Sequence, residues 1–402
     1  MKRLVSRFLL LFLRFNAFSC TRVLVSKNRP TQLSSTKKVT LMDIAKRAKC
    51  STATVSTVLN AARGNTRLSS ATQKRILDIA HSLNYRPHHA AQALASRRSK
   101  TLGLYVAPRP WGTVGNSHYE GRLLRGIEKA CRARQYRLLL INLHGEESPD
   151  ACMREVREQR VDGMILIQAG AIEDFTRQLV TVLPSVVMID AICPHSSALS
   201  VLFDNHAAMD LAVEHLVQLG HSRIAFIGSC IEKPLPDAIQ RREGFVLALQ
   251  KRGMTLRNEW VFDAETAGTT LDSDCEFCQE EGDRAVRRFF AGDRSDWPTA
   301  IVAYNDLVSA GAISRLGEMG VSIPQDVSVV GVDDSDIARI LRPSLSSVRQ
   351  PLEEMGFRAA EVLITNLETT KEPDNGDPNH DNVIAFNPVV VARQSSGPCT
   401  PG

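Results

Sequence analysis

Aromatic residues and long apolar runs are scarce in this 402-residue sequence. Aromatics make up only 5% of it, and the apolar run Phe8–Leu13 has six residues, whereas a membrane-spanning helix needs about 20. Apolar residues account for 43% and charged residues for 23%, as in ordinary globular domains. This composition excludes a mainly disordered, collagen-like or multi-span membrane protein, and the length predicts roughly two to three domains.

Signatures of the common enzyme classes are also missing. The sequence has no GxGxxG or Walker loop, no GxSxG elbow and no histidines at metal-ligand spacing. We therefore expect no catalytic residues, no cofactor and no bound metal. His221, which follows Leu219-Gly220, is typical of a structural turn.

The nine cysteines are odd in number and scattered, which indicates reduced intracellular thiols instead of a disulfide framework. Cys275 and Cys278 form a CxxC pair without the second pair that a zinc site needs. We interpret them as loop cysteines, with a redox or metal-binding role as the alternative. The stretch Asp263–Glu281 is rich in acidic residues without regular ligand spacing, which favours a surface insertion.

The net charge of +5 is an average over two very different parts. Residues 1–100 hold 20 Lys and Arg against two acidic residues, while residues 101–402 hold 29 against 42. Such asymmetry predicts a module that binds nucleic acid or a membrane surface, joined to an acidic body.

Residues 1–38 contain no acidic residue, and Arg14 interrupts their apolar run. The run is shorter than the signal-peptide core of about 7–15 residues. We interpret 1–38 as a disordered basic extension, which a start codon assigned too far upstream would produce; an export or membrane-contact signal is the alternative.

Helical periodicity begins after Val39. Thr40 and Asp43 fit a capping box at the start of a helix over 41–48. Ser51 is placed to cap a second helix over 52–59, and residues 70–73 fit another capping box before a third helix over 73–83. Two short helices separated by a tight turn and followed by a third predict a helix-turn-helix unit over 39–86, whose second helix enters the DNA major groove. A generic helical domain with a basic face is the alternative.

From residue 101 the pattern changes to short apolar strands that alternate with amphipathic helices. This alternation predicts α/β architecture with doubly wound parallel sheets. The predicted strands cover 102–106, 137–141, 163–167, 186–189, 223–227, 299–303 and 327–332, with a last strand at 383–392. The predicted helices lie near 119–134, 149–159, 206–219, 238–252, 281–290 and 306–319.

Polar residues follow several of these strands, at the sheet edge where such folds bind ligands. Asp190, Asn305 and Asp333 each come directly after a strand, and Arg241 and Arg242 are nearby cations on a helix. Carboxylates that accept paired hydroxyl donors, together with a guanidinium, suit a hydroxyl-rich ligand. An Asp after a strand is about as often a helix cap, so each residue alone is weak evidence.

Ordered sequence blocks resemble the lactose/galactose repressor (LacI/GalR) family. They run VTLMDIA at 39–45, STATVSTVLN at 51–60 and LNYRP at 83–87, and continue with LGHSRIAFI at 219–227, RREGF at 241–245 and IPQDVSVVGVDD at 323–334. The resemblance covers roughly 39–365. It implies a helix-turn-helix headpiece and a periplasmic-binding-protein-like body of two subdomains that clamp an effector.

The resemblance also implies roles for individual residues. Base reading falls on Thr52, Ala53 and Thr57, and the Ala-rich segment 87–100 becomes a hinge helix whose Leu94 wedges into the minor groove; a flexible linker is the alternative. The other DNA-binding residues implied are Thr40, Ser51, Thr54, Ser56, Asn60, His88 and Ala91. The effector contacts implied are Tyr119, Asp190, Arg241, Asn305 and Asp333.

The resulting prediction is a cytoplasmic, nucleoid-associated homodimer that acts as a repressor, with an activator as the alternative. It binds a near-palindromic double-stranded DNA operator under control of a sugar-like effector, without membrane contact. An exported solute-binding protein and a sugar-metabolising enzyme are the rival functions. The body is expected over 101–395, with a first subdomain of 101–203 and about 352–372, a second of 204–351 and about 373–395, and a flexible tail at 396–402.

Overall fold

A computed structural model describes most of the chain after residue 38. The described residues are 39–59, 68–86, 88–106, 118–141, 148–167, 173–192, 198–230, 235–267, 279–369 and 382–399. They fall into two compact units that divide between Pro87 and His88. Interpretations of 1–38, of Asn60 and of Cys275 and Cys278 lie outside the described residues.

The first unit is a small helical headpiece with its own core. Thr40 caps its first helix, because the Asp43 backbone N–H donates to Thr40 Oγ1 at 3.4 Å and the Thr40 N–H donates to Asp43 Oδ2 at 2.8 Å. The core is formed by Ile44, Val55 and Ile76, one from each helix, all fully buried. The helices are α1 (Leu41–Ala48), α2 (Thr52–Leu59) and α3 (Ser70–Ser82).

The third helix differs from the sequence prediction at its start. Ser69 caps it, since the backbone N–H of Thr72 donates to Ser69 Oγ at 3.3 Å. Ser70 was expected to be the cap, but it is already the first helical residue. Ser69, one position earlier, has the extended backbone that a cap requires.

The second unit contains a short helix, α4 (His89–Ser96), and two α/β subdomains. The strands are β1 (Thr101–Val106), β2 (Arg137–Leu140), β3 (Gly163–Ile167), β4 (Val186–Ile189), β5 (Leu199–Phe203), β6 (Ile224–Ile227), β7 (Val261–Phe262), β8 (Ala300–Ala303), β9 (Ser328–Asp333), β10 (Ser346–Arg349), β11 (Val383–Phe386) and β12 (Val389–Val391). In the described residues one sheet has the order β11-β5-β4-β3-β1-β2 and the other β12-β10-β9-β8-β6-β7; all pairings are parallel except β10 with β12.

Helices connect most of these strands, as parallel sheets require. The fold class predicted from the sequence is confirmed, and the ends of the predicted body helices and of the strands before residue 383 shift by no more than two residues. The helices are α5 (His118–Ala133), α6 (Ser148–Arg157), α7 (Glu173–Val182), α8 (Asn205–Gln218), α9 (Pro236–Lys251), α10 (Gln279–Phe289), α11 (Asp306–Glu318), α12 (Asp336–Ile340) and α13 (Leu352–Glu368).

The chain crosses between the two sheets at three places: after Phe203, at Pro351 and between Phe386 and Val389. The third crossing corrects the sequence prediction of one strand over 383–392 within the second subdomain. Val383–Phe386 instead pairs with β5 of the first sheet, and Val389–Val391 pairs with β10 of the second. Pro388 separates them, because it lacks the N–H that a continuous strand would use.

The end of the chain is docked, which corrects the predicted flexible tail at 396–402 for its described part. Ser396 Oγ hydrogen-bonds to His215 Nε2 at 2.9 Å, the Gly397 N–H donates to Ser328 Oγ at 3.1 Å, and the Cys399 N–H donates to the Leu219 carbonyl at 2.8 Å. These contacts run along the edge of the second sheet where its strands begin. His221, buried against Ser328 in this layer, has the structural role predicted for it.

No helix in the described segments is both long enough and apolar enough to cross a membrane. Within those segments, no group of His, Cys, Asp and Glu side chains is arranged to hold a metal ion.

Replacing Ser395 by alanine tests the docked end. Ser395 is fully buried; its hydroxyl accepts from the Ser346 N–H at 2.8 Å and donates to the Val329 carbonyl at 2.6 Å. Ser395→Ala leaves both backbone groups without this partner, so we expect the free energy of unfolding to fall by about 1–3 kcal/mol in urea denaturation. Thr181→Ala, which removes an exposed bond to the Arg177 carbonyl, should change it by less than about 0.5 kcal/mol; equal losses would show that the docked end adds nothing.

Candidate functional site

The second headpiece helix presents small polar side chains to solvent. Thr52 and Ala53 are exposed, while Ser56 and Thr57 are half-buried beside the fully buried Val55. Ser51 caps this helix, because the Thr54 N–H donates to Ser51 Oγ at 3.1 Å. Small side chains at these positions let the helix backbone approach a DNA groove closely, and the free amides of the helix start favour phosphate.

The short helix α4 carries an exposed leucine. Leu94 is 84% exposed, and Ala91 lies exposed one turn earlier on the same helix. His88 is the residue before the helix and its side chain makes no capping hydrogen bond. Arg97, in the left-handed conformation, ends the helix. Helix α4 has eight residues, fewer than the roughly 12–15 that an isolated helix needs in water, so it depends on contacts beyond its own hydrogen bonds.

A buried arginine organises the cleft between the two sheets. Arg241 donates from Nε to Asn205 Oδ1 at 2.8 Å, from Nη1 to the Tyr304 carbonyl at 2.7 Å and from Nη2 to Gln350 Oε1 at 3.3 Å. Its Nη1 lies 3.8 Å from Asp333 Oδ1. Since a buried charge must be paired and hydrogen-bonded, these partners are the reason that Arg241 can be almost wholly inside the protein.

Asp190 faces this arginine from the first sheet. It accepts hydrogen bonds from the Tyr119 hydroxyl, the Phe203 N–H at 3.2 Å and Gln350 Nε2 at 3.3 Å. Burial raises the pKa of Asp190 to about 6, although the Tyr119 hydrogen bond works in the opposite direction. The two subdomains therefore meet through Asp190 and Gln350.

Two further carboxylates lie around the arginine. Burial raises the pKa of Asp333 to about 8 against the opposing attraction of Arg241. Asp237 accepts from the Tyr304 hydroxyl at 2.7 Å through Oδ2, while its buried Oδ1 has no hydrogen-bond partner in the described part of the chain. The cleft thus offers one cation, several acceptors and two tyrosines, a set able to bind a molecule rich in hydroxyl groups.

The sequence-predicted effector residues are only partly brought together. Tyr119, Asp190, Arg241 and Asp333 share one network, but Asn305 uses its side-chain oxygen to cap α11, accepting from the Val308 N–H at 2.8 Å. Asn205, Asp237, Tyr304 and Gln350 complete the network and were not predicted. Arg242, the alternative cation, pairs with Asp263 at 2.6 Å instead. No local sequence pattern singled them out; the structure shows that Asn205 and Gln350 lie next to chain crossings.

Comparisons with known proteins agree with this two-part organisation. Residues 40–88 match the family described as bacterial regulatory proteins, lacI family, and residues 213–396 match a periplasmic binding protein-like domain. The HTH-type transcriptional repressor PurR of Photobacterium profundum is 30% identical over 361 residues, which cover 89% of this chain and 98% of that repressor. The chain belongs to the LacI family.

Solved LacI-family structures have the same fold. The lac repressor dimer bound to operator and the anti-inducer ONPF matches with a TM-score of 0.68 at 22% identity, covering 90% of this chain and all of that one. The transcriptional regulator CelR in complex with cellobiose matches with a TM-score of 0.60 at 24% identity, covering 89% and 100%. Family membership makes this protein a DNA-binding transcriptional regulator with an effector-binding domain, and not an enzyme.

The raised pKa of Asp190 predicts a pH dependence of stability. A carboxyl group whose pKa rises from 3.8 to about 6 on folding stabilises the protein below pH 4, and this contribution is lost as the pH rises through 6. We therefore expect the unfolding free energy of the wild type, relative to Asp190→Asn, to fall between about pH 4 and pH 6 and then level off. Urea denaturation of both proteins across this range measures it; a constant difference would contradict the assignment.

Proposed function

We propose that this protein is a homodimeric, cytoplasmic and nucleoid-associated repressor that binds a near-palindromic operator under control of a hydroxyl-rich effector. Effector binding is supported by the buried Arg241 and the hydrogen-bond acceptors that surround it in the cleft. The DNA half rests on the exposed small residues of α2 and on Leu94 in α4.

For DNA binding, Thr52, Ala53 and Thr57 meet base edges in the major groove. Thr40, Ser51, Thr54, Ser56 and Asn60 lie near the phosphates or support the helices. The α4 helices of two subunits, with His88, Ala91 and Leu94, pair in the central minor groove, where an apolar side chain can unstack a base step and bend the duplex. The lac repressor dimer bound to operator, which shares this fold, supports a dimer on DNA.

For effector binding, Arg241, Asp190 and Asp333 hold the ligand's hydroxyl groups, and Tyr119 packs against it. Asn305 stays in the proposed set as the residue that follows β8, although its side-chain oxygen caps α11. The CelR structure holds cellobiose in the same fold, which supports a sugar or a related metabolite as the ligand. Effector binding changes the spacing of the subdomains and so shifts the balance between ordered and disordered α4.

An operator selection tests the proposed DNA binding. The full-length protein is used to select binding sites from random duplex DNA, and the affinity for the selected site is measured by gel shift at several salt concentrations. We expect a near-palindromic site bound far more tightly than random DNA, with affinity that falls steeply as salt rises. Failure to select any sequence would overturn the proposed function.

A thermal-shift screen with mono- and disaccharides and nucleosides tests the cleft. We expect at least one of these compounds to raise the unfolding temperature of the wild type and to change its affinity for the selected operator. Arg241→Gln should lose this response because the ligand loses its charged donor. A response that survives Arg241→Gln would place the ligand elsewhere.

Replacing Leu94 by alanine tests the minor-groove wedge. Burial of a leucine side chain contributes about 1.5–3 kcal/mol, so Leu94→Ala should weaken operator binding by about 10- to 100-fold. Binding to random DNA should hardly change, because it depends on phosphate charge. Leu77→Ala, which truncates an exposed leucine of α3, is the control and should preserve operator affinity; equal loss of specific and non-specific binding would refute the wedge.

A further inference from the structure

Two helices of the first subdomain reach from the effector cleft to the linker that follows α4. Tyr119, at the start of α5, donates to Asp190 in the cleft, and Arg134, just after its end, donates to Glu368 Oε2 at 2.8 Å. Helix α13 begins two residues after Gln350 of the cleft and ends at Glu368 itself. With 17 residues, α13 is roughly 25 Å long.

These two helices touch each other backbone to backbone. A Cβ atom on Gly126 of α5 would lie 1.9 Å from the Glu353 carbonyl oxygen of α13, and one on Gly356 would lie 2.2 Å from the Leu123 carbonyl oxygen. Only glycine allows such close packing at both positions. The pair is therefore in direct backbone contact, and we expect a displacement at its cleft end to be carried to its other end.

The linker after α4 is fastened to that other end. The Ser99 N–H and hydroxyl donate to Asp162 Oδ1 at 2.6 and 2.8 Å, and the Lys100 N–H donates to Asp162 Oδ2 at 2.8 Å. The Lys100 ammonium lies 3.1 Å from Glu368 Oε1 and 4.4 Å from the centre of the Tyr136 ring. Glu368 thus joins the ends of α5 and α13 to a residue four positions after the last residue of α4.

We propose that Glu368 is a positioning residue that conveys the state of the effector cleft to the hinge helix α4 through Lys100. This rests on the proposed roles of the cleft and of α4. Movement of Gln350 or Asp190 shifts the α5–α13 pair, and Glu368, which holds Arg134 on one side and Lys100 on the other, shifts the linker with it.

The solvent exposure of the ion pairs that Glu368 makes with Lys100 and Arg134, here called the bridge, limits how strongly the cleft can change operator affinity. The side chains of Lys100 and Arg134 are 46% and 45% exposed, and that of Glu368 is 32% exposed. Pairs this accessible to water are weak, so we expect changes of a few fold in affinity and not an on–off switch. The hydrogen bond from Lys100 is the main cause that holds the pKa of Glu368 below its usual range, so the bridge is charged at neutral pH.

A double-mutant cycle tests this role without any effector. Operator affinity is measured for the wild type, Gln350→Ala, Glu368→Gln and the double variant, all as full-length protein on the selected site. We expect Gln350→Ala alone to change the affinity about three- to fivefold, and less than twofold when Glu368→Gln is also present, because the route between the two is cut. If the two effects multiply, or if Gln350→Ala has no effect alone, Glu368 does not convey the cleft state.

Matched variants separate this role from a structural one. Glu361→Gln removes the ion pair with Arg358 on the same helix and should leave the effect of Gln350→Ala unchanged; loss of the effect in this background as well would overturn the assignment. If Glu368→Gln lowers the unfolding temperature, Arg134→Gln breaks the same bridge from α5 and should reduce the Gln350→Ala effect too. A wild type that selects no operator defeats the proposed function, whereas multiplicative effects on a selected operator defeat only the role of Glu368.

Discussion

The buried guanidinium of Arg241 is the constraint around which the body is arranged. Its partners include Asn205, directly after the first chain crossing, and Gln350, directly before the second. One cation therefore holds both of these connecting segments. Because a buried charge without partners is very costly, Arg241 depends on these hydrogen bonds to stay inside the protein. A ligand that competes for these hydrogen bonds must change how the two subdomains are held together.

The charge of the chain is divided between its DNA-binding part and its body. Residues 39–100 carry 11 basic and two acidic side chains, whereas residues 101–402 carry 13 more acidic than basic ones. DNA phosphates attract the first group and repel the second. The net negative charge of the body therefore opposes contact with DNA phosphate and favours contact through the basic residues 39–100.

The headpiece and most of the body could be predicted from the sequence, because their helices and strands carry strong local signals such as the Thr40–Asp43 capping box and the apolar strand 163–167. Strand β10 was missed because its first residues are Ser346 and Ser347, which are buried but polar. The cleft was harder to predict. Asn305 and Asp190 both follow strands, yet only Asp190 joins the Arg241 network while Asn305 caps a helix. Gln350 and Tyr304 enter the network through tertiary contacts that no local pattern encodes.

In the proposed mechanism small couplings suffice, because α4 is a short helix. Helix α4 has eight residues, fewer than the roughly 12–15 that an isolated helix needs in water, so its folded and unfolded forms differ little in free energy. A coupling of about 1–3 kcal/mol, typical of allosteric proteins, is then enough to shift its population. A coupling free energy of this size can come from the hydrogen bonds of the Ser99 and Lys100 N–H groups to Asp162 together with exposed ion pairs such as that of Glu368. Linkage also requires the reverse effect: an operator that orders α4 must change the affinity of the cleft for its effector by the same factor.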